Sequence, residues 1–215
     1  MQMKMMMFFA VLGSSIVLAA APGSILREKI QNGKTYSLFR VAKLPADLHV
    51  LDQEEGKVTF YYDKKNLRVS IVLMDADIVS ESPGDQEQQS KFGDTVRIFV
   101  KPAAGTEFWE IYVDSKGHKS CFFHWGPGRM FYPPATEAAP LKIQAKTGRI
   151  AGGWKCEVVF PLSQAAKSRN LPANTIWHVM AGRHNYGANL DFRYSSSYPQ
   201  AVNTAVDIAR FGELN

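Results

Sequence analysis

Cysteine is scarce in this chain. Only Cys121 and Cys156 occur in 215 residues, and they do not form a CxxC pair. That excludes the disulfide-dense scaffolds of small secreted domains and the paired-cysteine zinc sites. The chain also lacks a G-x-S-x-G nucleophile elbow and an HExxH helix, which removes two common hydrolase signatures. Its net charge is +5, but Lys and Arg are scattered rather than gathered into a run. A basic stripe for nucleic acid is therefore missing. Internal repeats, low-complexity tracts and a linker between two domains are absent as well. A composition of 46% hydrophobic and 21% charged residues excludes disorder and fits one domain of sandwich or barrel size.

The first thing present is a targeting segment. Lys4 is the only charge before Arg27, and Met5 to Leu18 is an apolar run of signal-peptide length followed by Ala19-Ala20-Ala21. Pro22 disfavours cleavage directly after Ala21. The expectation is a signal peptide over roughly residues 1–23, a lead-in over 24–34 and a folded domain over 35–215. The apolar run is short for a transmembrane helix, so the mature chain is expected to be secreted or periplasmic, without stable membrane insertion. An uncleaved N-terminal anchor is the alternative. In an oxidising compartment Cys121 and Cys156 are a candidate disulfide; two buried free thiols are the other reading.

Strand signals dominate the rest. Val96, Ile98 and Val100 alternate with Thr95, Arg97 and Phe99, and Trp109, Ile111 and Val113 alternate with Phe108, Glu110, Tyr112 and Asp114. A period of two with β-branched and aromatic residues predicts a hairpin buried on one face. Further strands are predicted at 38–41, 57–62, 67–74, 120–125, 141–146, 153–160, 175–183 and 194–198. The TGRIAG stretch reads as a turn between two of them. Pro161 to Asn170 is the one short helix, with Pro at its first turn. Many short strands and regular turn signals predict an all-β fold, an antiparallel β-sandwich of immunoglobulin-like or jelly-roll-like form. Trp109, Trp154 and Trp177 fall on apolar strand faces and are expected in its core.

The order of landmarks resembles the family 9 carbohydrate-binding module. LRVSIVLMDADI and GDTVRIFV match the family's strand, "D-x-D-I" and "G-D-x-V-x-I-F" run. FWEIYVDSKG, GWKCEVVFPL, the span from Trp177 to Arg183, SSSYPQ and FGEL come next in the family's order. The resemblance implies a β-sandwich that binds carbohydrate without catalysis, often with structural calcium. It also implies two aromatic rings that sandwich a sugar. Phe92 and Tyr198 are the nearest matches where tryptophans are typical, and Phe92 stands one residue out of step. Arg97 replaces the family's Glu, and Tyr112 and Asp114 replace its Arg and Asn.

The residues themselves suit that chemistry. Pyranose rings present apolar C–H faces to flat aromatics, while carboxylates, amides and Arg grip hydroxyls. The outer hairpin face offers Arg97, Glu110, Tyr112 and Asp114; an ordinary cross-strand Arg–Glu pair is the plainer reading. Trp125, beside His124, Arg129 and Tyr132, opens a Gly/Pro/aromatic loop and is a candidate cleft residue. Arg183 completes the candidate ligand set. Asp75 and Asp77, with Glu81 and Asp85 nearby, are candidate calcium ligands. No other cofactor is expected. Carbohydrate is the expected partner. A structural or protein-interaction sandwich is the alternative. A small glycoside hydrolase using Glu110 and Asp114 is the third reading, although four residues along a strand separate carboxylates by about 13 Å.

Overall fold

The computed structural model describes residues 27–40, 54–87, 89–125, 141–199 and 211–214. Twelve strands run through them: β1 (Lys29–Ile30), β2 (Thr35–Arg40), β3 (Glu54–Tyr62), β4 (Leu67–Met74), β5 (Thr95–Pro102), β6 (Phe108–Asp114), β7 (Lys119–His124), β8 (Gln144–Ile150), β9 (Gly153–Phe160), β10 (Trp177–Tyr186), β11 (Phe192–Tyr198) and β12 (Gly212–Leu214). Helix α1 (Leu162–Ser168) lies between β9 and β10. The strands are hydrogen-bonded in the order β7-β6-β5-β10-β11-β2-β3-β4-β9-β8, all antiparallel along this path. β12 shares the free edge of β10 with β11 and pairs in parallel with β1.

This sheet folds back on itself as the expected sandwich. Trp109 on β6 packs against Phe160 on β9, with ring centroids 5.7 Å apart. Tyr36 on β2 stacks on Tyr198 of β11 at 4.1 Å. Every inward residue of the central hairpin, from Val96 to Val113, is buried in the main core. Trp109, Trp154 and Trp177 are buried there as expected. Because side chains alternate with period two, a one-residue slip would turn all of them outward, and the core thereby fixes the register. Here Arg97 lies opposite Tyr112, and Phe99 opposite Glu110.

Several strand bounds differ from those the sequence predicts. β8 runs through TGRI to Ile150, and only Ala151-Gly152 turns, with Gly152 at φ +70°. Thr147 to Ile150 pair with Gly153 to Cys156, so a two-residue turn accounts for the hairpin. β10 extends to Tyr186 because β5 and β11 flank it as far as His184 and beyond. α1 is shorter than its signal and buries Leu162 and Ala165.

Gly93 sets the position of the sandwich rim. Its φ is +127°, and a Cβ there would meet the Val79 carbonyl oxygen at 2.4 Å. Only glycine lets the chain leaving the polar loop press against Val79 and Ser80. That contact delivers Asp94 to the rim, where its Oδ2 accepts the Val79 N–H at 2.7 Å.

Candidate functional site

The outer face of β5, β6, β7 and β10 carries a network centred on Glu110. Its Oε1 accepts from Arg97 Nη2 at 2.8 Å and from the Tyr112 hydroxyl at 2.5 Å. Its Oε2 is 2.8 Å from His124 Nε2. Arg97 Nη1 donates to His184 Nε2 at 2.6 Å. Period-two alternation brings these side chains from four strands to one face. Rings flank them: Phe108 stacks on His124 at 4.4 Å, and the Arg97 guanidinium lies 4.9 Å from the Phe99 ring. Arg97, Glu110, Tyr112 and His124 are all buried.

The electrostatics arise from that burial. Desolvation pushes the Glu110 carboxyl up, but His124, Arg97 and Tyr112 outweigh it and hold it down at about 2. Burial and the neighbouring Arg97 charge depress His184 to about 3, so it is neutral at pH 7 and accepts from Arg97. Asp114 does not join the network. It accepts from Ser80 Oγ, from the backbone N–H of Lys116 and His118, and pairs with the His118 ring, organising the β6–β7 turn.

Arg183 lies apart from this network. It shares the inward side of β10 with Val179 and Ala181 and lies opposite Val96. There it donates to the Met74 carbonyl at 2.9 Å, to Asp75 at 2.7 Å and to Asp94 at 3.3 Å. Burial raises the Asp94 carboxyl to about 6 against the pull of its backbone donors, with Asp75 adding to the rise and Arg183 opposing it. Arg193 clamps Asp77 with two bonds of 3.1 and 2.7 Å. Asp85 pairs with Lys119. Both candidate calcium ligands, Asp75 and Asp77, therefore face guanidinium groups. Among the described residues, no three His, Cys, Asp or Glu side chains converge as a metal-binding group.

Phe92 and Tyr198 are not brought together. Phe92 sits two residues before Asp94, at the end of the sheet where Thr95 pairs with His184. Tyr198 lies opposite Ala181, is 9% exposed, packs in the core and donates its hydroxyl to Glu28. The disulfide expectation is corrected: Cys121 on β7 and Cys156 on β9 are free thiols. Each packs as a small apolar side chain on the core, and burial, with a lesser push from Glu110, raises Cys121 to about 12. Arg129 and Tyr132 lie outside the described residues.

Trp125 is placed differently from the other tryptophans. It is 61% exposed. Phe123 meets it edge-on at 5.2 Å, and the Arg169 guanidinium lies 4.6 Å from both rings. Glu107 holds Arg169 at 3.0 Å. The structure thus adds His184 and Arg169 to the residues that the sequence nominates. The alternation of His178, Met180, Gly182 and His184 is the available signal for the first. No local signal links Arg169 to Trp125.

No family model matches the chain, and no curated protein matches it by sequence. Solved structures do share its fold. A Bacteroides uniformis protein assigned to carbohydrate binding superposes with a TM-score of 0.58 at 12% identity, covering 87% of this chain and 96% of its own. A family 9 carbohydrate-binding module from Caldicellulosiruptor kristjanssonii, solved with cellotriose, gives 0.54 at 15% identity, covering 88% and 92%. The glucose complex from the same organism gives 0.55 at 15%, covering 88% and 94%. The described chain has the β-sandwich fold of these carbohydrate-binding proteins.

Proposed function

We propose that this chain is an exported, non-catalytic carbohydrate-binding protein that engages sugar through Trp125. The observation that carries this reading is the Trp125 platform: a 61% exposed indole fixed by Phe123 and by an Arg169 that Glu107 anchors. An indole held in place gives up little entropy when a pyranose face stacks on it. The complexes of the structural neighbours with cellotriose and glucose support the ligand class. A non-catalytic role fits the two candidate acids. Glu110 has both oxygens occupied by buried partners, and Asp114 is committed to a turn.

One observation favours a second reading, a structural or protein-interaction sandwich. The Arg97–Glu110 pair fills the outer face that the family resemblance assigns to sugar, and it is buried.

Acrylamide quenching of tryptophan fluorescence separates the two readings, because Trp109, Trp154 and Trp177 are buried and Trp125 is not. Cellotriose or a polysaccharide from a neutral-glycan panel is expected to shield Trp125. Trp125→Ala is expected to weaken retention in affinity electrophoresis at least tenfold with the unfolding midpoint unchanged. Full retention by Trp125→Ala, or no shielding across the panel, would sink the proposal.

A further inference from the structure

The opposite end of the strands holds a second built feature. Phe108 pairs with His124 at the Trp125 end of the sheet, whereas Thr95 pairs with Asp114 and His184 at the other. Six residues of β6 separate the two ends, roughly 20 Å at strand rise. At that far rim a cleft of about 610 Å³ opens among Arg40, Met74, Asp77, Asn185, Arg193 and Tyr194. Ligand pockets typically fall between about 300 and 1,000 Å³.

Its walls are planar and already oriented. Arg40 lies over the Tyr194 ring at 4.0 Å and is ion-paired to Glu55, which also accepts the Tyr194 hydroxyl at 2.5 Å. Arg193 is locked fork-to-fork on Asp77. Met74 supplies an apolar patch, being 55% exposed. Asn185 is 3% exposed, and its Oδ1 has no hydrogen-bond partner among the described residues. A buried acceptor without a donor is uncommon in folded proteins and asks for one.

We infer that this rim cleft binds a neutral polyhydroxylated ring, a second sugar-contact site independent of Trp125. The charges decide the class. Arg40 is balanced by Glu55, Arg193 by Asp77 with Asp191 3.9 Å away, and Asp75 by Arg183, so a free anion finds no uncompensated guanidinium and a free cation no carboxylate without its arginine. Alternating guanidinium donors and carboxylate acceptors instead match the paired donor and acceptor roles of vicinal hydroxyls. A ligand hydroxyl would also supply the missing donor to Asn185. This inference rests on the carbohydrate reading above.

The test is a titration of the ¹⁵N-labelled chain with glucose, glucuronate and glucosamine, with Trp125 shielding from acrylamide read in parallel. Glucose is expected to move the amide signals of Asn185, Tyr186 and Tyr194, and to do so still in Trp125→Ala. Arg193→Ala, at an exposed position, and Asp77→Asn, at a half-buried one, are expected to weaken that response about tenfold and to leave Trp125 shielding intact. Asn185→Ala is expected to do the same, with circular dichroism as its folding check. Glucuronate and glucosamine are expected to bind several-fold more weakly than glucose. Shielding of Trp125 without any response at the rim would overturn the rim site and leave the proposed function standing. No response at either place overturns both. A rim response that survives Arg193→Ala and Asp77→Asn, or tighter binding of a charged sugar, overturns the assignment.

Discussion

Two arginine–carboxylate assemblies differ in their access to water. On the outer face, Arg97 and Glu110 have side chains 11% and 3% exposed; at the rim, Arg193 and Asp77 are 44% and 39% exposed. The pair chemistry is the same, but the surroundings differ. Removing water from the first makes each partner costly to leave alone, and its neighbours Tyr112, His124 and His184 bond both Glu110 oxygens and Arg97 Nη1, with Arg97 Nε and His184 Nδ1 left unpartnered among the described residues. The second stays in water, where the attraction is weak and the groups remain available to a ligand. The outer-face assembly therefore acts as framework and the rim assembly as contact surface. The family resemblance points to the outer face, and burial moves the expectation away from it.

The largest expected effect tests the framework half of that contrast. Glu110→Ala leaves the Arg97 charge buried beside a neutral His184. Breaking a buried pair by removing one partner costs about 3–5 kcal/mol, so the stability measured by urea unfolding should fall by that amount. Arg97→Met with Glu110→Leu should recover most of the loss, because an apolar pair needs no neutralisation. A loss below about 1 kcal/mol for Glu110→Ala would mean that the outer face is open to water and is a site after all.

Acid should separate the two assemblies next. His184 has a folded value of about 3 against an ordinary 6.5, so its contribution is present above pH 6.5 and is lost as pH falls from 6.5 toward 3. Glu110, held at about 2, loses its contribution only as pH falls below its ordinary 4.5. Asp94 at the rim runs the other way: its folded value is about 6 against 3.8, so its contribution is full below 3.8 and is lost as pH rises through 6. These three groups together are expected to give a net loss on the order of 2 kcal/mol between pH 7 and pH 4, and His178, depressed to about 4 by burial, adds to it in the same direction. His184→Gln should flatten that slope. Asp94→Asn should steepen it, because the opposing contribution is gone. Identical slopes in both variants would mean that neither group is desolvated as placed.

Much of this architecture is legible in the sequence. The inward faces of β5 and β6 follow from alternation alone, and Trp109, Trp154 and Trp177 lie where their periodicity puts them. Alternation also holds the correct answer for Arg183, which shares parity with Trp177, Val179 and Ala181; grouping it with the ligand set ignores that signal. His184, one residue on, carries the outer-face parity instead. The rim is not legible. Tyr194 meets Glu55 across 139 positions and Arg193 meets Asp77 across 116. No period or turn signal encodes which strand ends share a rim once a sheet folds over itself. The cysteines show the same limit: the strand of each is readable, but not that Cys156 sits in the core and Cys121 against it as free thiols.

The smallest expected effect belongs to the contact-surface half. Arg193→Ala removes a pair that solvent already screens, and its cost should be below about 1 kcal/mol. The same substitution frees Asp77, which bears on calcium. With Arg193 in place, its fork occupies both carboxylate oxygens, and Arg183 neutralises Asp75. Adding millimolar calcium to the unaltered chain should therefore leave the thermal midpoint within error. In Arg193→Ala, calcium has a carboxylate to approach, and a rise of a degree or two is expected there alone. A rise of several degrees in the unaltered chain would show that Arg193 gives way to the ion. The rim would then be a metal site, with the arginine as its occupant only in the ion's absence, and the contrast with the sealed outer face would rest on exchange of partners rather than on exposure.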